Sequence, residues 1–341
     1  MSTVQNTHGR KADTAIILEY LEKFPEAPSK TLARKIYSEN PSFYSFERVY
    51  GRVRYYRGQL GNEHRKELSN RRFQKELKVE FNMKEKFLPE SYANKRGTFV
   101  FPSGCNSVGV LGDLHIPYQD NEAIEAAFEE MEKQKIEALF LNGDMLDFYQ
   151  LSFHEKDPRM VHFKEEIEAG RQFLDYCRTR FPNIPIYFIP GNHENRFERY
   201  LRIKASELLD MDEFRLDVLL HVAEYGVQYI PFRSKVVFGD FLIEHGDKIP
   251  GAGGVVPART ALMRLKTNCI INHFHKTSSS SQRVYGPEES TTIRGYSLGC
   301  LCELTPEYLE INEWNHGFAI LKRTKGTVAV SNYKIENGTI V

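Results

Sequence analysis

Apolar positions in the first sixty residues recur with the period of a helix. Ala15, Ile16, Leu18, Leu21 and Phe24 share one helical face. Ser29 stands as a cap before a second short helix over Lys30 to Tyr37. Ser45 predicts the cap of a third, with Phe46, Val49, Tyr50, Val53 and Leu60 facing inward. From Glu63 to Lys86 the chain is charged and free of Gly and Pro, which predicts a long helix or helical linker.

At Thr98 the pattern changes to short apolar runs separated by amphipathic helices. Ser107 to Leu111, Ala138 to Leu141 and Ile186 to Ile189 read as buried strands. Between them lie a helix capped by Asp120 or Asn121, with Ile124, Ala127, Phe128 and Met131 on one face, and another near Glu165 to Arg180. Alternating strands and helices predict βαβ units and a helix-covered sheet. After His221 the chain becomes strand-rich: Lys235 to Phe238, Phe241 to Glu244, Ile270 to Asn272, Phe318 to Lys322 and Thr327 to Tyr333. Ser278 to Ser281 reads as a surface loop, and a helix is expected to start near Pro257 after the glycine loop Gly251 to Gly254.

Charge divides the chain at the same place as the hydrophobic pattern. The 341 residues carry 46 basic and 46 acidic side chains. Residues 1–97 hold about 20 Lys and Arg against about 12 Asp and Glu, roughly +8, which leaves about −8 for the rest. The third N-terminal helix carries Arg48, Arg52, Arg54 and Arg57, and three short helices ending on such a helix resemble a helix-turn-helix fold. The resulting division is a basic helical domain at 1–62, a linker at 63–97 and an α/β domain at 98–341. With 41% apolar and 27% charged residues the chain is not wholesale disordered. No stretch approaches the roughly 18 apolar residues of a membrane span. The five cysteines lack zinc-type spacing and fit buried thiols in a reducing compartment, so the expected location is cytoplasmic.

Metal-ligand residue types recur after the strands of the second domain. They are Gly112-Asp113-Leu114-His115, Gly143-Asp144-Met145-Leu146-Asp147, Gly191-Asn192-His193-Glu194, Glu244-His245-Gly246-Asp247 and Asn272-His273-Phe274-His275. Loops at the carboxyl edge of an α/β sheet converge on one site. In Asp-x-His and His-x-His, alternate side chains of an extended segment share a face. Asp, His and Asn make a hard-to-borderline ligand set suited to manganese, iron or zinc.

In this order the motifs resemble those of the calcineurin-like metallophosphoesterases, over about Gly104 to Arg323. The family usually has Gly where this chain has Asn272. The resemblance implies an αββα sandwich, two facing sheets flanked by helices, here preceded by a small all-α basic domain. It also implies two divalent metal ions, manganese first, with iron, zinc and nickel as the other candidates. Asp113, His115 and His275 would hold one metal, Asn192, His245 and His273 the other, and Asp144 would bridge them around a shared, activated hydroxide. His193 would protonate the leaving oxygen, oriented by Glu194, with Asp147 in a supporting role. Gly-Asn-His-Glu-x-Arg resembles the protein Ser/Thr phosphatase branch, in which the residue matching Arg196 clamps phosphate. That branch has Arg-Gly after its second motif, however, where Phe148 and Tyr149 stand here. Trp314-Asn315-His316-Gly317-Phe318, with Lys156-Asp157-Pro158, resembles a phage- and prophage-type branch, which would put the protein in a bacterial host cytoplasm.

Together the two domains suggest a metal-dependent phosphoesterase carried to nucleic acid, DNA first, by its basic module, with Arg48, Arg52, Arg54 and Arg57 as contacts. The repair nucleases of this superfamily cut DNA with the same kind of metal site. The aromatic residues Phe148, Tyr149, Phe153 and Phe163 would form either a base-stacking wall or packed core. Two alternatives remain at this stage. One is a phosphomonoesterase for phosphoprotein or small nucleotides whose basic module docks a protein. The other is an inactive DNA-binding regulator. No membrane partner is expected, and the pattern leaves oligomeric state open.

Overall fold

The computed structural model describes residues 7–60 except 42 and 44, residues 72–73, and residues 93–341 except 94, 154–156, 158, 307–308 and 310. It divides into two compact units, Met1–Tyr92 and Ala93–Val341. The expected linker helix over Glu63 to Lys86 falls almost entirely outside the described residues.

The first unit packs α1 (Thr7–Lys23), α2 (Ser29–Glu39) and α3 (Phe46–Tyr56) around Ile17, Leu21, Leu32, Ile36, Val49 and Val53. Ser45 caps α3 by accepting the Arg48 N–H at 3.3 Å. Helix α2 begins one residue earlier than expected, and the Ser29 hydroxyl bonds the Gln59 side chain at 2.7 Å instead of capping. Two expectations about α3 are corrected. The helix ends at Tyr56, so Leu60 leaves its apolar face and is 45% exposed. Arg57 is no surface cation. Only 1% exposed, it donates to the carbonyls of Phe24, Pro25 and Ala27 and to the Ser29 hydroxyl. It ties the end of α3 to the α1–α2 turn and offers nothing to a nucleic acid. Arg48 is exposed, while Arg52 and Arg54 are partly so.

The second unit is built on two sheets. A seven-stranded sheet runs in the order β13-β12-β11-β2-β3-β4-β5. Its members are β2 (Ser107–Leu111), β3 (Ala138–Asn142), β4 (Ile186–Ile189), β5 (Val227–Tyr229), β11 (His316–Thr324), β12 (Thr327–Glu336) and β13 (Thr339–Ile340). A six-stranded sheet runs β1-β6-β7-β8-β10-β9, from β1 (Thr98–Val100), β6 (Lys235–Phe238), β7 (Phe241–Glu244), β8 (Cys269–Ile271), β9 (Ser278–Tyr285) and β10 (Ser290–Ser297). The sheets face each other across Val108, Val110, Phe140, Ile189, Val236, Phe238, Phe241, Ile243 and Ile270. Strands β2, β3 and β4 are parallel and buried on both faces, which is why they read as unbroken apolar runs.

Helices α4 (Asn121–Lys133), α5 (Phe163–Arg180) and α6 (Glu194–Lys204) cover the outer face of the larger sheet, and α8 (Pro257–Leu265) covers the smaller. A short α7 (Leu216–Leu219) lies between α6 and β5. Asp120 caps α4, accepting the Ala123 N–H at 2.8 Å. This is the expected αββα sandwich. The Ser278 to Ser281 segment is not a loop but the start of β9, paired with β10 over eight residue pairs. It lies at the sheet edge and is largely exposed, so no apolar alternation marks it.

Candidate metal centre

Parallel strands β2, β3 and β4 send their carboxyl ends to one edge, and β7 and β8 of the other sheet end there too. The five motif loops follow these strands and meet. The Asp144 carbonyl accepts the N–H groups of Leu114 (2.9 Å) and His115 (3.0 Å), and the Gly143 carbonyl accepts that of Asp113 (3.1 Å). The Asp113 carboxylate accepts the His273 N–H at 2.7 Å, and the Asp144 carboxylate accepts that of His193 at 2.9 Å. A side chain at Gly191 would strike the Asp144 carboxylate. Gly112 leaves the space that the Asn272 side chain fills. The Asn272 side-chain oxygen accepts from the Asn142 amide at 2.8 Å, which ties the fifth loop to the end of β3.

Asp113, His115, Asp144, His273 and His275 all have φ between +50° and +74°. They are five of the twelve non-glycine residues with positive φ among the described residues. Such left-handed backbone costs about 1–3 kcal/mol per residue and gathers at functional sites.

The side chains converge as the backbone suggests. His245 Nε2 lies 3.1 Å from both Asp144 Oδ2 and Asn192 Oδ1. His275 Nε2 is 3.7 Å from Asp113 Oδ1 and 3.3 Å from His115 Nε2. Nitrogen and oxygen atoms of His115, Asp144 and His193 lie within 4.8 Å of one another, as do those of Asp144, His245 and His273. Asp144 belongs to both groups, the position a bridging carboxylate needs. Asp113 Oδ1 and Asp144 Oδ2 are buried and meet only histidine nitrogens, His275 Nε2 at 3.7 Å and His245 Nε2 at 3.1 Å. Two anionic oxygens left so in a dry site call for cations.

Protons answer part of that demand. Burial opposes charge on His245 and His275, yet Asp144 and Asp113 outweigh it and raise their pKa values to about 10 and about 9. Burial alone would also raise the two carboxyls, but the facing histidines hold Asp113 below, and Asp144 well below, the ordinary range. His273 is pushed down to about 4 by burial and by cationic His245. Divalent ions would replace these protons, so the donor set fits a dinuclear centre.

Around the candidate ligands, two expected roles change. Glu194 does not orient the His193 ring. Its buried carboxylate accepts the backbone N–H groups of Asp144 (2.9 Å), Leu146 (2.8 Å) and Gly191 (2.7 Å), clamping the second and third loops together. Asp147 does the orienting. Its Oδ1 lies 2.8 Å from His115 Nδ1 and 3.2 Å from His193 Nδ1, and its carbonyl lies 2.8 Å from His193 Nδ1. Arg196 donates to the same carbonyl at 2.9 Å and sits 3.0 Å from His193 Nε2.

The aromatic wall resolves into two parts. Phe148 is fully buried, stacked on Phe163 at 5.6 Å, and is core. Phe153 is 61% exposed, with the Arg199 guanidinium 3.6 Å from its ring centre. His316 is buried, bonded to the Cys302 carbonyl at 2.9 Å, and outside the ligand set. Sequence reasoning missed Cys302, whose sulfur lies within 4.8 Å of ring nitrogens of His115 and His275. The Cys-x-Cys spacing of Cys300 and Cys302 was the available signal.

The family model for calcineurin-like phosphoesterases matches residues 107–300, which span all five loops. The chain belongs to the calcineurin-like phosphoesterase family. Its members are metal-dependent phosphoester hydrolases with a dinuclear centre, and this member carries candidate His and Asp ligand groups for one. Similar solved structures include Vacuolar Protein Sorting 29 from Cryptosporidium parvum, at 16% identity and TM-score 0.38, covering 70% of this chain and 95% of that one. A dimetal phosphatase from Danio rerio has 12% identity and TM-score 0.33, covering 67% and 96%. The E. coli phosphoesterase Yfce has 12% identity and TM-score 0.29, covering 66% and 98%. No curated protein matches the calcineurin-like chain. Among its described residues, no helix is long and apolar enough to cross a membrane.

Proposed function

We propose that this calcineurin-like chain is a phosphodiesterase acting on nucleic acid, DNA first, with residues 98–341 performing the chemistry and the basic N-terminal helices engaging the polyanion. The observation that carries the chemistry is the pair of buried carboxylate oxygens, Asp113 Oδ1 and Asp144 Oδ2, that face only histidine nitrogens. Asp113, His115 and His275 would hold one divalent cation, Asn192, His245 and His273 the other, and Asp144 both. Cations bound there supply Lewis acidity and an activated water at neutral pH.

The protein's own groups do the rest. The His193 Nδ1–H faces the Asp147 carbonyl, which leaves Nε2 as the atom that takes up and delivers a proton. Burial works against the charged ring, but Asp144 and Asp147 outweigh it and raise its pKa above the ordinary value. The raised pKa favours the proton that Nε2 would deliver to a departing alkoxide, once the Arg196 N–H that donates to Nε2 at 3.0 Å turns to the substrate oxygen. Arg196, beside that atom, adds positive charge where the leaving oxygen develops negative charge.

In the first unit, Arg48, Arg52 and Arg54 remain for phosphate contact once Arg57 is withdrawn into the fold. Arg54 also donates to the Gln59 carbonyl at 3.1 Å. That reduced basic face favours a second reading, a phosphomonoesterase whose helical unit docks a protein partner. The test compares a chromogenic phosphodiester, a phosphomonoester and labelled DNA, each with added Mn²⁺. Preferential cleavage of the diester and DNA is expected; monoester turnover alone would overturn the nuclease reading.

A further inference from the structure

We propose that Cys302 is a ligand of the cation position built from Asp113, His115 and His275, making that position a mixed sulfur, nitrogen and oxygen site. The proposal rests on the dinuclear reading and adds a residue to it.

The Cys302 sulfur and a ring nitrogen of each of His115 and His275 lie within 4.8 Å of one another. All three are nine-tenths or more buried, with Cys302 at 3%, His115 at 6% and His275 at 6% exposure. The Asp113 Oδ1 atom, which has no hydrogen-bond partner, lies 3.7 Å from His275 Nε2 in the same place. Zinc holds sulfur at about 2.3 Å and histidine nitrogen at about 2.0–2.1 Å in a tetrahedral shell, so ligand atoms on one ion stand about 3.3–3.6 Å apart. The two histidine nitrogens of His115 and His275 already stand 3.3 Å apart, and a spread of at most 4.8 Å to the sulfur needs a closure of about 1 Å to become a coordination shell.

The backbone explains why the thiol is there. Leu301 donates its N–H to the Asp113 carbonyl at 3.0 Å and accepts the Asp120 N–H at 2.8 Å. Cys302 bridges antiparallel to Gln119, and its carbonyl faces His316 Nε2 at 2.9 Å. The segment is thereby sewn to the loop that carries Asp113 and His115. Leu301 belongs to the helix-side core, and the Cys302 sulfur lies beside His115 and His275. Cys300 Sγ lies 3.7 Å from the Asn315 carbonyl and its thiol bonds that of Cys302, so Cys300 is the neighbouring thiol that the experiment has to exclude.

A thiol that becomes a ligand loses its proton to solvent as the metal–sulfur bond forms, so uptake at this position releases a proton. Thiolate softens the site and favours zinc or iron(II) over manganese there. The second position, with Asn192, His245 and His273, has no sulfur among its donors.

The experiment uses the full chain, stripped with chelator under reducing, anaerobic conditions and loaded with Co²⁺ or Zn²⁺. Co²⁺ should produce a near-ultraviolet thiolate-to-cobalt charge-transfer band. X-ray absorption of the zinc form should show sulfur at about 2.3 Å, about one sulfur per two metal ions. Cys302→Ser and Cys302→Ala should each lose both signals, and Cys300→Ser should keep them. Two bound cobalt ions without a sulfur band, or a band that survives both Cys302 substitutions, overturns the Cys302 assignment and leaves the dinuclear centre standing. Failure to bind cobalt at all overturns both. Absence of the sulfur signal from the unsubstituted, metal-loaded protein overturns the assignment even if a variant does not fold.

Discussion

Replacing Glu166 with Gln should stabilise the second unit, and only at high pH. Glu166 lies on α5, 2% exposed, and its carboxylate accepts the Phe148 N–H. Burial, reinforced by the nearby Asp147 charge, raises its pKa from 4.5 to about 8, even though the backbone bonds favour the ionised form. Between those two values the unfolded chain has given up a proton that the folded chain keeps. A group with a raised folded pKa contributes its full stability below the unfolded value and loses it as pH rises through the folded one. The parent protein should therefore weaken by up to ~1.4 kcal/mol per pH unit across this window, a ceiling near 5 kcal/mol. Gln does not titrate, and its carbonyl oxygen can still accept the Phe148 N–H. The advantage of Glu166→Gln should be near zero at pH 4.5, grow with pH and level off above 8, reaching about 2–5 kcal/mol once the ionised parent draws in some water. Urea unfolding in chelator, followed by fluorescence, measures it. Trp314 is the only tryptophan and belongs to this unit, so the signal is free of the N-terminal helices. An advantage that is flat with pH, or a variant weaker than the parent at pH 8, refutes the reasoning.

Asp144→Asn should abolish turnover and lower bound metal, because one carboxylate serves both ligand groups; metal analysis returning two full equivalents would remove the bridging role. His193→Ala should keep its metal and lose about 10²–10⁴-fold in turnover on a poor leaving group, with a smaller loss on a good one. Equal losses on both substrates would exclude His193 as the acid. Arg57→Ala should destabilise the first unit by about 3 kcal/mol by stranding the carbonyls it binds, which thermal unfolding of that unit would show. Replacing Arg48, Arg52 and Arg54 together with Ala should instead leave the fold intact and weaken DNA binding. Each lost phosphate contact should flatten the slope of log K against log salt by roughly 0.9, and unchanged binding would dissociate this helix from nucleic acid.

What the sequence discloses here depends on how local the deciding contact is. The strands β2, β3 and β4 are legible because burial on both faces writes a continuous apolar run, and the loops of the candidate site are legible because polar residues follow those runs directly. The β9–β10 hairpin is not, since exposed serines and threonines obey its pairing without alternating. Arg57 looked like its neighbours because the helical phase was carried past Tyr56. Helix α3 stops there, and Gly58 at φ +65° turns the chain. The partners of His193 were hidden for a different reason. Glu194 follows it in sequence, but only the path of the β3 loop brings Asp147 to the ring and turns Glu194 onto the backbone. Cys302 lies 187 residues beyond His115, joined to it by a bridge to Gln119 that no spacing rule contains.

Those same backbone contacts argue that the centre is assembled before any cation arrives. Five of the proposed ligands occupy left-handed backbone that costs free energy, so something other than the metal has to hold them in that form. Glu194 fixes three N–H groups of two loops, the Asp144 carbonyl fixes two more of a third, and the Asp113 and Asp144 carboxylates each hold a backbone N–H. With the loops set, the carboxylates keep protons on His245 and His275 in place of metal charge. Cation uptake then becomes an exchange of protons for metal within a formed pocket, with little folding attached. Chelation should accordingly leave the circular dichroism of the sandwich unchanged, while metal affinity should rise steadily with pH up to about 9 to 10, where those two rings give up their protons unaided.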